Sequence, residues 1–534
     1  MKSKYIATLF LGGFLGLTGC TDGFESDNEI KGGFSDEKKE IDFQNLTAPF
    51  ETIQSGIYFN YAPAGLNWVW QIMQALNHDM FGGYFLDPTT KFLDKNSAYN
   101  LDAGWAGAEW QNTYGYIYTE VQKAESNFEG NENLKGYLGI TEILKVELMH
   151  RVADTYGPLV YHKSGESPKV YGLQEAYTQF FADLDEAQKL ITEYLEAGGD
   201  NNKFKDYDML TNGKTLKDWL KFANSLRLRL AIRVSNADTS LAKAQTIKAL
   251  GDSNGVLEGA KETIAVSGNT YVNPLYAVAG WGEVYMNASM ESIINGYEDP
   301  RGAKWYNPAS LEGYKDKLLG IPTGLPMKAG DANIYGACSP LNTNTISERT
   351  PAVLMTAAEV WLLRAEAALR GYTNEDVRMC YENGVSTSFT QWDCSGSSNY
   401  LASDHTPADY KDVVSKGKVG KDMKALITIS PKWDESATNE VKLEKIITQK
   451  WLACWPESYE AWAEQRRTGY PKLFKVQTNA SGGTISTDDM IRRLPFSTEV
   501  ATGNPTQYSE LCNKLNGTDN GGTRLWWDTG KNNF

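Results

Sequence analysis

The sequence predicts a mainly α protein: a tetratricopeptide-like helical-repeat scaffold with long irregular loop segments that form a ligand-binding face. Three observations predict it. Apolar residues recur at spacings of three and four in run after run. Several runs follow one another closely and carry alanine-rich faces, as stacked antiparallel helices require. Between them lie long stretches rich in Gly, Pro, Asn and aromatic rings, where binding usually sits. No strict repeat of about 34 residues is visible.

Residues 43–62 read as a first helix, with Phe43, Leu46, Phe50, Ile53 and Ile57 on one stripe. Tyr61 to Trp105 is aromatic and irregular. Helices follow at 107–128 and 132–154, the second stopped by Tyr156-Gly157-Pro158. Leu173 to Ala197 is helical, with Phe180, Phe181, Leu184, Ala187 and Ile191 on one side. Thr215 to Ser235 is another helix, carrying Trp219, Phe222, Leu226, Leu230 and Ile232. Gly251 to Pro351 changes character and shows few helical runs. The clearest helix is 352–371, whose Ala357, Ala358, Ala365 and Ala368 permit close approach of a neighbour and whose stop is Gly371. Further helices are predicted at 373–387, 438–454 and 456–467, and the tail from Gly469 is irregular. The chain therefore divides into a leader (1–19), a tether (20–42), N-terminal helical repeats with an aromatic loop at 61–105 (43–250), a loop-rich ligand-binding segment (251–351), C-terminal helical pairs (352–470) and an irregular end (471–534).

Length and composition narrow the function. A chain of 534 residues exceeds one ordinary core, which is consistent with a large repetitive fold. The chain is 41% hydrophobic and 22% charged, with mean hydropathy −0.45, which excludes a polytopic membrane protein. A net charge of −15 argues against a nucleic-acid partner, whose phosphates it would repel. Fifteen Trp and 29 Tyr supply more flat surface than a core needs. Only four His are present, which restricts both metal binding and proton transfer.

The first residues carry an address. Lys2 and Lys4 precede Ile6–Leu17, a twelve-residue apolar run too short to span a bilayer and of the length of a secretory signal. Leu17-Thr18-Gly19-Cys20 resembles a bacterial lipobox, which implies cleavage before Cys20, acylation of its sulfur and anchoring in lipid. Thr21–Phe34 is polar and acidic, as a tether is. Five cysteines remain, Cys338, Cys380, Cys394, Cys454 and Cys512, so at least one thiol stays unpaired; no CxxC or zinc-like spacing occurs, and spacing does not fix whether Cys380 and Cys394 join.

No catalytic motif is present. There is no G-x-S-x-G and no H-E-x-x-H. Asn212-Gly213-Lys214-Thr215 ends like a phosphate loop, but Asp208 stands where its first Gly belongs. His78, His150, His162 and His405 are dispersed and read as surface or hydrogen-bonded residues. Among 67 acidic residues no pair is singled out for glycoside hydrolysis. No catalytic residue, metal site or cofactor is nominated.

What stands out is aromatic. Trp68, Trp70 and Tyr84 occupy the first irregular stretch with Asn77 and Asp79 nearby, and Trp281, Tyr285, Trp305 and Tyr306 occupy the central one with Arg301. Indole and phenol faces pack against the C–H faces of sugars, and amide, carboxylate and guanidinium groups meet the hydroxyls. These ten residues form the candidate ligand-binding set. Each ring also has an ordinary alternative, which is to pack a loop onto the helices. Trp361, Trp451 and Trp462 lie on amphipathic helices and read as core. Arg227, Arg229 and Arg233 read as partly buried partners of carboxylates such as Glu359 or Glu366. Arg466-Arg467 reads as a helix end, where the dipole favours cations.

Five segments in order resemble the SusD/RagB family of nutrient-binding outer-membrane lipoproteins. They are Arg151-Val-Ala-Asp154-Thr-Tyr156-Gly157-Pro158; Asn224-Ser-Leu-Arg227-Leu-Arg229-Leu-Ala-Ile-Arg233; Ala358-Glu359-Val-Trp-Leu-Leu-Arg364-Ala365-Glu366; Gln449-Lys450-Trp451 running on to Glu460-Ala-Trp462-Ala-Glu464-Gln-Arg466-Arg467-Thr-Gly469-Tyr-Pro471; and Arg492-Arg493-Leu-Pro495-Phe, closing on Trp526-Trp527-Asp528. Pro158 departs from the family pattern by following the Gly directly. Asp22 and Glu25, just behind Cys20, also resemble surface-export signals of Bacteroidetes lipoproteins. The resemblance implies a non-catalytic cell-surface receptor in the outer membrane, facing the exterior. It would capture an oligosaccharide with loops of the two aromatic regions and deliver it to a SusC-like TonB-dependent transporter. The alternatives are a surface glycoside hydrolase, with two carboxylates about 5–10 Å apart in a cleft, or a structural, peptide-binding lid on the transporter.

Overall fold

The computed structural model describes residues 44–58, 67–211, 213–268 and 271–534. The leader, the tether, Cys20 and Asn212 lie outside the described residues. Four helical hairpins make the scaffold: α1 (Lys135–Tyr156) with α2 (Leu173–Glu196), α3 (Leu216–Arg233) with α4 (Thr239–Gly251), α5 (Ala357–Leu369) with α6 (Val377–Gln391), and α7 (Asn439–Cys454) with α8 (Ser458–Thr468). Each hairpin stacks on the next through α2 on α3, α3 on α5, and α5 on α7. That is the nearest-neighbour stacking of a helical repeat.

Local chemistry sets the helix ends. Thr215 and Asp218 form a reciprocal cap on α3: Asp218 N donates to Thr215 Oγ1 (3.2 Å) and Thr215 N to Asp218 Oδ2 (3.1 Å). Thr356 and Thr438 cap α5 and α7 by accepting from Glu359 N and Val441 N. The α5–α6 hairpin is tight because Gly384 faces the alanine side of α5. A Cβ there would lie 2.5 Å from Leu362 Cγ and 3.2 Å from the Ala358 carbonyl oxygen.

Several boundaries differ from the sequence reading. Ala352–Met355 is a strand and not the start of a helix; it pairs antiparallel with Ile264–Val266, and α5 begins only after the Thr356 cap. Four buried apolar residues fit either state by pattern alone, and the partner strand decides. Helix α4 was not predicted, since its apolar stripe is as narrow as Ala242 and Ala249. The stretch from Tyr61 to Trp105 is helical over Asn67–Phe81, with a π-helical stretch at Gln71–His78. The predicted helix 107–128 starts at Ala103 and includes a π-helical turn at Thr113–Ile117. Two further two-stranded sheets are β1 (Phe85–Leu86) with β5 (Tyr285–Met286), and β2 (Leu159–Tyr161) with β3 (Lys169–Tyr171); Ile264–Val266 is β4 and Ala352–Met355 is β6.

Buried ions fasten the seams between hairpins. Arg229 forks onto Glu359 (2.8 and 2.7 Å) and donates to the Leu354 carbonyl (2.6 Å). Arg233 reaches Glu460, Glu464 and Asp154. Arg467 forks onto Glu366 (both 2.7 Å) and also holds Glu464. Of the two carboxylates named as examples, Glu359 takes one of the three arginines, Arg229, whereas Glu366 takes Arg467 and Arg370. Arg227 instead donates to Asp185 (2.5 Å) and Gln245 (2.6 Å). Burial works to raise the Glu366 carboxyl, yet Arg467 and Arg370 hold it down at about 2. The Arg466-Arg467 pair does lie in the last turn of α8, ahead of the Gly469 stop, and both side chains are buried there: Arg466 donates to the carbonyls of Asp154 (2.6 Å) and Arg492 (2.8 Å) while lying over Trp462.

Trp451 and Trp462 are core, as expected. Trp361 is not. It is half-buried, donates from Nε1 to the Glu258 carbonyl (2.9 Å) and lies under the Arg364 guanidinium, because its side of α5 faces outward. The five described cysteines are free thiols, so Cys380 and Cys394 are not joined. His78, His150 and His162 are buried and hydrogen-bonded, and His405 is exposed. Among the described residues no helix is long and apolar enough to cross a membrane, and no group of three His, Cys, Asp or Glu is placed to hold a metal ion.

Candidate functional site

The two aromatic regions do meet. β1 pairs with β5, placing Leu86 opposite Tyr285 and Phe85 opposite Met286. The short helix Pro274–Ala279, capped by Asn273, packs on Asn67–Trp70 and on the π-helical stretch that follows. The turn after that short helix carries Trp281.

Seven of the ten candidate residues fasten this junction and do not present themselves to a ligand. Trp305 is fully buried, stacked on Trp455 with centroids 4.8 Å apart and planes at 13°, with Trp392 against its edge. Tyr306 donates from its hydroxyl to the Tyr84 carbonyl (2.9 Å) and accepts from Trp455 Nε1 (3.1 Å). Tyr84 donates to the Trp451 carbonyl. Arg301 is closed on Asp299 (2.6 Å from Nη2), Ser388 (2.8 Å) and Gln449 (3.3 Å), so its donors are used. Trp70 stacks on Tyr58. Asn77 donates to the carbonyls of Ile72 (2.8 Å) and Trp105 (3.2 Å) and accepts from Asn96. Asp79 accepts from Ser458 Oγ (2.5 Å) and Gln74 Nε2 (3.2 Å), and burial pushes its carboxyl up to about 7. All seven are buried and each packs on or bonds to protein groups, although the indole Nε1 of Trp70 and of Trp305 has no hydrogen-bond partner.

Three candidates remain at the surface. Trp68 is 52% exposed and Trp281 is 47% exposed, both large figures for indoles in a folded unit. Tyr285 is half-buried, and burial pushes its phenol up. Trp68 and Trp70 are two residues apart on one helix, which turns one ring out when the other turns in. Trp281 N donates to the Val278 carbonyl (3.0 Å), and Gly282 follows at φ +78°, where an added Cβ would meet nothing within 4 Å. The turn therefore holds the backbone of Trp281 and leaves space beside its ring.

A linked set of polar groups that the sequence reading did not nominate lies close to these rings in sequence. Glu283 accepts from Gln71 Nε2 and lies 3.6 Å from the exposed Lys91 ammonium. Asp87 is buried beside them, and burial, with Glu283 adding to it, pushes its carboxyl up to about 7. A signal existed: Gln71 lies three residues after Trp68 on a helix, and Glu283 two residues after Trp281. The arrangement offers two half-exposed indoles and, close to them in sequence, a linked amide, carboxylate and ammonium. It suits stacking and hydrogen bonding to a neutral polyol.

A family model described as SusD-like, the Susd and RagB outer membrane lipoproteins, matches residues 27–528, and the chain belongs to that family. A crystal structure of a SusD homologue from Bacteroides vulgatus is 55% identical, covers 93% of this chain and all of its own, and superposes with a TM-score of 0.89. A chitin-binding SusD homologue from Flavobacterium johnsoniae is 35% identical with a TM-score of 0.85, covering 92% of this chain and all of that one. A SusD homologue from Bacteroides uniformis is 31% identical with a TM-score of 0.80, covering 91% and 99%. No match is found among curated proteins. The mainly helical, tetratricopeptide-like architecture is thus that of the family.

Proposed function

We propose that this chain is a non-catalytic glycan receptor, lipid-anchored through Cys20 in the outer membrane and facing the exterior. It captures an oligosaccharide on the Trp68–Trp281 surface and delivers it to a SusC-like TonB-dependent transporter. The observation that carries the reading is the pair of half-exposed indoles, on elements packed against each other, flanked by Gln71, Glu283 and Lys91. Family membership supports it, and the chitin-binding relative makes chito-oligosaccharides the first probe. The carboxylates that burial pushes up to about 7 or 8, Asp79, Asp87, Glu109, Glu142, Glu291 and Glu457, are all buried, which supports binding over hydrolysis. The test is calorimetric titration with chito-, xylo- and manno-oligosaccharides, with product analysis on the same samples. Saturable heat without cleavage is expected; cleavage at any glycan would return the hydrolase. Labelling with a fatty-acid analogue tests the anchor, since Cys20→Ala should lose the label. Co-purification with a barrel protein tests delivery.

A further inference from the structure

A second concave surface lies on other elements. Where α1 ends at Gly157-Pro158 and α2 begins, the tail residues 524–529 and the end of the helix Pro505–Lys514 enclose a cleft of about 610 Å³. It continues into a hollow of about 450 Å³ beside β3, and Gln174 and Glu175 line both. Together they form one groove of the size that small ligands occupy.

Its chemistry is graded along its length. At one end Trp526 is half-buried, with its ring 6.2 Å from Tyr177. Beside it Arg524 is fixed in place, because fully buried Asp528 accepts from it at 2.7 Å and Asp489 at 2.6 Å. In the middle, Lys514 and Glu175 meet at 2.8 Å and tie the tail to α2. At the far end Lys163 and Lys169 line the hollow, and among the described residues neither forms an ion pair. Tyr171, also lining it, is buried with a hydroxyl that has no hydrogen-bond partner. An aromatic face, fixed polar groups, an unused hydroxyl and two ammonium groups without an ion-pair partner line the groove, with Lys169 over the Tyr171 ring and within the field of Glu175.

We infer that this groove is a second saccharide site, one that takes an acidic oligosaccharide with its pyranose face on Trp526 and its carboxylate or sulfate on Lys163 and Lys169. The chain as a whole is anionic, at −15, so attraction of such a ligand must come from these local cations. The site shares no residue with the Trp68–Trp281 surface and stands or falls separately from it.

The test uses the full chain carrying Trp68→Ala and Trp281→Ala, titrated with an oligogalacturonate hexamer and a chondroitin sulfate hexasaccharide. Retained binding of at least one, weakening as salt rises, is expected. Adding Lys163→Glu and Lys169→Glu should weaken it about tenfold or more and flatten the salt dependence. Adding Trp526→Ala should weaken it about tenfold. The lysine pair is solvent-facing and decides the matter if Trp526→Ala lowers the melting temperature. Absence of binding to both probes overturns the inference, and so does binding indifferent to the lysine pair. Failure of the first reading looks different: wild type and the Trp68/Trp281 double variant would then bind neutral glycans equally.

Discussion

Trp281 and Trp305 stand in the same loop-rich segment and end in opposite places. Trp305 closes a five-residue helix and slides under Trp455, delivered by the linker between α7 and α8. Trp281 sits in a turn between two glycines with half its surface open. Trp70 and Trp68 repeat the contrast two residues apart. The difference teaches that an abundance of rings in loops serves two purposes. Some rings fasten the loop to the repeats, and others are what the fastened loop presents. The partner ring, Trp455 for Trp305 and Tyr58 for Trp70, decides which.

Five substitutions break or sharpen that contrast, in decreasing order of effect. Trp305→Ala should cost about 3–5 kcal/mol of stability, seen in denaturant or thermal unfolding, because it empties a closed stack. An unchanged melt would place Trp305 with the presented rings. Asp79→Asn should act through pH. The Asp79 carboxyl is raised from 3.8 to about 7 by burial, so the stability it permits is full below about 4 and falls as pH rises through 7. The variant escapes that loss, and its melting temperature relative to wild type should climb between about pH 4 and 7, by at most ~4 kcal/mol in equivalent stability. A gap independent of pH would mean the group ionises freely. Trp281→Ala and Trp68→Ala should each lose about 1–2 kcal/mol of glycan affinity, near tenfold, with little change in melting. Equal affinity in both would move the site elsewhere. Trp361→Ala should be smallest, within about 1 kcal/mol of wild type in stability, since its ring is half-buried and only capped by Arg364.

Much of the scaffold was legible because its signals are local. Thr215 before an apolar run, the Gly371 stop and the alanines of α5 each speak within one helix turn. The ion pairing was half legible: Arg229 meets Glu359 as the residue types suggest, but Glu366 meets Arg467, a choice made by hairpin stacking across 101 residues. Of the site, the two regions were legible and the residues mostly were not. Composition located the aromatic stretches, whereas burial of Trp70, Tyr84, Trp305 and Tyr306 depends on Tyr58, Trp451 and Trp455, whose proximity no spacing announces. Asp79 and Arg301 were misleading for the same reason: a polar side chain near rings is as useful to the core as to a sugar, provided Ser458 or Asp299 satisfies it.

The fastening bonds also set an order of events during folding. Hairpins such as α1–α2 close over short connections and form early, as local contacts do. The junction of the two aromatic regions is tied down across far longer gaps: Tyr306 to Tyr84 spans 222 residues, Trp451 to Gly82 spans 369, and Ser458 to Asp79 spans 379. Those loops close last, so a chain that has regained its helices has not yet regained its grip. In stopped-flow refolding, far-ultraviolet ellipticity should return before ligand-dependent tryptophan fluorescence, and simultaneous recovery would show that the face forms with the hairpins. A molecule that binds glycan is therefore one whose ends have already found each other.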